Sequence, residues 1–106
     1  MTGSSRRFEI LLPLRSNDGK PVPDSLLVDV ALELERQFGA VSSETQIIRG
    51  LWNKDGVTFR DEPVRVFVDV PDTPEHRQFF VGFKERLKSS FGQLEIWITT
   101  FPIEVI

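Results

Sequence analysis

The residues of widest chemical reach in this 106-residue chain cluster in and just before "VPDTPEHRQFFVGFKERL", residues 70–87. The only histidine, His76, lies there with Asp72 and Glu75, and Asp69 directly precedes the stretch. Carboxylates around an imidazole are the ingredients of a divalent-metal site or an acid/base pair. Here they follow no recognised ligand spacing. The same residues also spell a helix start: Asp72 or Thr73 as cap, Pro74 in the first turn, and Glu75 and His76 beside it, where a carboxylate meets the helix dipole. Capping accounts for every residue but Asp69. It is the expected role of His76, and no catalytic, cofactor-binding or metal-binding residue is assigned.

Two further stretches have weaker chemistry. "SNDGK" (residues 16–20) offers backbone amides and Lys20 to an anion but lacks the glycine-rich run and helix start of a phosphate loop, so a turn is expected. "VSSETQ" (residues 41–46) offers hydroxyls, yet a serine nucleophile needs a base in reach and the single histidine lies far along the chain. A loop entering a strand is expected there.

Composition narrows the classes. At 40% hydrophobic residues, 106 positions suit one domain with a core of its own, residues 1–106, of which 1–6 are expected to be flexible. The absence of cysteine removes disulfides and thiolate chemistry and suits a reducing compartment, so the cytoplasm is the expected location. No stretch approaches the roughly 20 apolar residues needed to cross a bilayer. A net charge of −3 argues against a nucleic-acid binder built on many phosphate contacts.

The elements that must position these residues follow from periodicity. "RFEILLPLR" (residues 7–15) sets Phe8, Ile10, Leu12 and Leu14 on one side, as a half-buried strand does. From Asp24 to Phe38, Leu27, Val30, Ala31, Leu34 and Phe38 fall at helical spacing, and Gly39 is placed for a left-handed stop. "SETQIIRGLW" and "VTFRDEPVRVFVDV" flank "NKDG" as an antiparallel hairpin, with Pro63 marking a bulge or break. Phe79 or Phe80, then Phe83, Leu87 and Phe91 form the stripe of a second helix, and "LEIWITTF" is a last strand. The order strand, helix, strand, strand, helix, strand resembles the ferredoxin-like fold. That resemblance implies an α+β sandwich: a four-stranded antiparallel sheet in the order 4-1-3-2 with both helices on one face.

The face turned away from the helices is the most informative surface. If Phe8, Ile10, Leu12, Val66, Val68, Val70, Leu94, Ile96 and Ile98 point inward, alternation sends Leu11, Phe67 and Trp97 outward among Glu9, Arg65, Asp69 and Glu95. An apolar cluster with a charged rim marks an interaction surface. The face taken by Trp52 stays open, and the tail "FPIEVI" is expected to dock through Ile103, Val105 and Ile106. The helices differ in charge: Asp24, Asp29, Glu33 and Glu35 against Arg36 give −3, whereas Arg77, Lys84, Arg86 and Lys88 against Glu75 and Glu85 give +2.

A binding or assembly module without enzymatic activity is the expected function, self-associating through the open face as a homodimer and leaving room for a protein partner or a small ligand. The alternatives are single-stranded nucleic-acid binding on Phe67 and Trp97, and a metal-dependent, nuclease-like activity assembled across a dimer from Asp69, Asp72 and His76. The third strand, "PVRVFVDV", lacks the basic-glycine-aromatic pattern of RNA-recognition domains.

Overall fold

The computed structural model describes residues 4–44, 50–61 and 63–106. β1 (Ser5–Pro13) carries the alternation seen in the sequence, burying Phe8, Ile10 and Leu12. It lies at the centre of the sheet, antiparallel to β5 (Pro63–Pro71) on one side and to β6 (Trp97–Ile103) on the other. The short β2 (Ser42–Ser43) pairs with the far edge of β5, giving the order β2-β5-β1-β6. This is the 4-1-3-2 order of the ferredoxin-like sandwich read from the opposite edge. The helices α1 (Asp24–Phe38) and α2 (Pro74–Ser90) cover one face. No helix among the described residues is long and apolar enough to cross a membrane.

The inward residues of β1 and β5 meet Val30 and Leu34 of α1 and Phe80, Phe83 and Leu87 of α2. Phe80, not Phe79, is the helix residue at the centre of this layer. Its ring stacks on Phe8 at 4.1 Å and on Phe38 at 5.4 Å, while Phe79 is only partly buried at the margin. Burying one such ring contributes about 1.5–3 kcal/mol, so the aromatic stack fixes how both helices sit on the sheet. The opposite helix charges meet directly, since Arg86 reaches Glu33 at 2.8 Å. Gly39 stops α1 with φ 86°, as its position after Phe38 predicts.

Several expectations are corrected. Ser5 and Arg6 lie within β1 rather than before it: they face Pro71 and Val70, and the Asp72 N–H donates to the Ser4 carbonyl at 2.9 Å. Leu94, expected inward, is exposed, because β6 begins only at Trp97. Residues 92–94 are instead tied to the loop after β1. Gln93 Nε2 donates to the Arg15 carbonyl at 2.7 Å, and the Leu94 N–H donates to Asn17 Oδ1 at 2.5 Å. The tail is docked only as far as Ile103, which pairs with Ser5, and Val105 and Ile106 are exposed.

The expected hairpin forms its own two-stranded sheet, β3 (Gly50–Lys54) and β4 (Val57–Asp61), turning through Asp55 at φ 53° and Gly56 at φ 82°. Both turn residues are left-handed, as a two-residue hairpin loop of matching twist requires. The break falls at Pro63, which is buried opposite Pro13 at the end of the central ladder. Two facing prolines supply no N–H to one another, so the pairing of β1 with β5 stops there.

Candidate interaction face

Register and alternation place Arg7, Glu9 and Leu11 of β1, Arg65, Phe67 and Asp69 of β5, and Trp97, Thr99 and Phe101 of β6 on the face opposite the helices. Leu11 lies directly between Arg65 and Trp97, Glu9 between Phe67 and Thr99, and Arg7 between Asp69 and Phe101. Of the three residues expected to form the contact surface, Leu11 is opposite Trp97 and Phe67 is diagonal to Leu11 across the β1–β5 ladder, and they are not equally open. Trp97 is 61% exposed, whereas Leu11 and Phe67 are half-buried. Phe101, 40% exposed, extends the apolar strip along β6. Its place two steps of the alternation beyond Trp97 was the available sign.

Arg7 accounts for the cover over Phe67. Its guanidinium lies 4.3 Å above the Phe67 ring while Nε and Nη2 donate to the two Asp69 oxygens at 2.7 and 3.0 Å. Asp69 thereby holds the Arg7 proton more firmly than usual, chiefly through those hydrogen bonds. Arg65 is held by two carboxylates: it donates to Glu44 at 2.8 Å and its Nε forms an ion pair with Glu9 at 3.2 Å without hydrogen-bond geometry, and the Glu44 hydrogen bond is the main cause of its raised pKa. The face thus has charges on β1 and β5 that are matched within the chain, and an apolar strip along β6 that Leu11 joins.

Glu95, expected on the rim of this face, lies elsewhere. It pairs with Lys84 of α2 at 2.9 Å and accepts the Ile96 N–H at 3.0 Å, and the Lys84 contact holds its carboxyl below the ordinary range. The face taken by the Trp52 side chain lies outside the described residues.

The residues around His76 do not converge. Asp69 is held by Arg7, Asp72 lies 3.2 Å from Arg6, and the Thr73 hydroxyl oxygen accepts the His76 N–H at 3.2 Å to cap α2. The imidazole Nδ1 is 2.7 Å from the Pro71 carbonyl, which can only accept, so Nδ1 carries a proton. Among the described residues no three acidic or histidine groups are grouped as metal ligands. In "SNDGK" the Lys20 N–H donates to Asp18 at 3.1 Å and the Gly19 N–H to Ser16 at 2.9 Å, so these amides are already taken within the turn. Ser42 and Ser43 of "VSSETQ" form β2, and Thr45 and Gln46 lie outside the described residues. A groove between the helices, floored by Val30, Phe83 and Leu87, encloses about 130 Å³, below the ~300 Å³ at which small-molecule pockets begin.

No family model matches this chain, and no curated protein does. Among solved structures it is similar to a phage SAM lyase in complex with S-methyl-5'-thioadenosine, at a TM-score of 0.69 and 13% identity over 99% of this chain and 93% of that one. It is also similar to the divalent cation tolerance protein (Cut A1) from Thermus thermophilus, at 0.60 and 19% identity over 93% of this chain and 84% of that one. At these identities the likeness shows the fold alone: a small α+β sandwich of the ferredoxin-like type.

Proposed function

We propose that this chain is a small binding and assembly module that pairs with a second copy of itself through its open sheet face, using Leu11, Phe67 and Trp97. The observation that carries the reading is Trp97, an indole 61% exposed beside Leu11 on a face whose flanking charges are already matched by partners in the same chain. Paired charges keep their opposite charge when a partner arrives, so covering this face avoids leaving a lone ion without water. Each large aromatic covered contributes about 1.5–3 kcal/mol, and a two-fold contact doubles the count. Phe67, capped by Arg7, adds less than Trp97. Against single-stranded nucleic acid weigh the net charge of −3 and the engagement of the two arginines of this face, Arg7 with Asp69 and Arg65 with Glu9 and Glu44. A nuclease-like site from Asp69, Asp72 and His76 would first have to break the contacts that hold each of them.

A second reading, a small-ligand pocket between two copies, is supported by the likeness across 99% of the chain to a lyase holding S-methyl-5'-thioadenosine. Size-exclusion chromatography with light scattering tests the first reading. Wild type is expected to elute as a dimer or larger assembly, Trp97→Asp as a folded monomer, and Phe67→Asp as a mixture. A wild-type monomer at high micromolar concentration would overturn it. Saturable binding of S-methyl-5'-thioadenosine that is lost in Trp97→Asp would favour the second.

A further inference from the structure

We infer that the β3–β4 hairpin is an arm that one copy lays across the open face of the other, over the Trp97–Phe101 strip. The inference rests on the assembly reading and names what completes its interface. Leu51 is 72% and Val57 54% exposed, and the other described side chains of the hairpin are exposed too. An isolated two-stranded hairpin is marginally stable at best in water, because it has no second layer to bury its apolar residues. This one nevertheless has a sharply specified turn and belongs to a molecule 49 Å long but only 29 and 25 Å in its other dimensions.

The aromatic strip by itself makes only part of an interface. A fully covered aromatic side chain buries about 150–250 Å², so the exposed parts of Trp97 and Phe101 offer about 200 Å² together. A specific interface needs ~800 Å² from each partner. An arm supplies the missing area from residues that are otherwise exposed. Lengths agree as well: Trp97 to Phe101 spans about 13 Å of strand and Leu51 to Lys54 about 10 Å at ~3.3 Å per residue. A second copy is the occupant because one chain carries both halves, the exposed arm and the exposed strip, and two-fold pairing uses each of them twice.

The test takes advantage of a chain without cysteine. Chains carrying Val57→Cys are mixed with chains carrying Thr99→Cys, the exposed residue between Trp97 and Phe101, under mild oxidation. A disulfide-linked pair is expected, at least tenfold more abundant than with Val81→Cys on the outer face of α2 in place of Thr99→Cys. Equal yields from both mixtures would overturn the arm. In parallel, Leu51→Asp/Val57→Asp is expected to raise the dissociation constant at least tenfold with an unchanged circular dichroism spectrum. If wild type associates, Trp97→Asp is monomeric, and the double variant associates like wild type, the arm fails while the assembly reading stands. If wild type stays monomeric, both fail.

Discussion

Arg7 shows how one side chain changes the meaning of another. By sequence Phe67 and Trp97 are equivalent outward aromatics, but Arg7 forks onto Asp69 and roofs the Phe67 ring, so only Trp97 is left open. Alternation gives the face of a side chain and is silent on what lies over it. Glu95 is the residue whose charge state is most informative. Lys84 holds its carboxyl below the ordinary range, so the ionised form is favoured in the folded state. Its contribution is present above the unfolded carboxylate pKa of about 4.3 and is lost as pH falls through the lower folded value. Both side chains are partly exposed and screened, so the pair is worth at most about 1 kcal/mol. Glu95→Gln, which keeps an acceptor for the Ile96 N–H, is expected to lower Tm at pH 7 and to match wild type near pH 2.5. Thermal unfolding across pH measures this, and an equal loss at both pH values would assign the effect to packing.

At the scale of the element, the start of α2 was legible because everything that defines it lies within "DTPEH". Thr73→Ala removes the oxygen that accepts the His76 N–H and is expected to cost about 1 kcal/mol, with Thr73→Ser close to wild type. Urea denaturation reads both, and an unchanged midpoint for Thr73→Ala would show that the cap contributes nothing. The start of β6 was not legible, because it is set by a partner 78 residues away: Gln93 holds the Arg15 carbonyl and so keeps residues 92–94 out of the sheet. Alternation that begins at Ile96 looks the same on paper as alternation that begins at Leu94. Pro63 lies between these cases. Its sequence announced a break, but only its pairing opposite Pro13 shows that the break ends the central ladder and releases a separate hairpin.

For the whole molecule, the ferredoxin-like architecture could be read from the order and period of the apolar stripes, which do not depend on any one contact. The fate of the last residues could not, since "FPIEVI" is apolar almost throughout yet its pairing with β1 ends at Ile103. Removing Val105 and Ile106 is therefore expected to shift Tm by no more than about 4 °C, because surface changes stay within ~0.5 kcal/mol and 1 kcal/mol moves a domain of this size by about 4–8 °C. Differential scanning calorimetry checks this, and a larger fall would mean that the two residues are buried in an assembly. The central place of β1 has a consequence of another kind, in time. Ser5 waits for Pro71 on one side and Ile103 on the other, so the middle of the sheet joins the earliest of the described strands to the latest. Closing contacts of such long separation is slow, milliseconds to seconds by comparison with the microseconds of local helical folds. During synthesis a chain halted before residue 97 would hold its central strand with one edge unsatisfied, and that stalled species, rather than the finished molecule, is the form most exposed to aggregation.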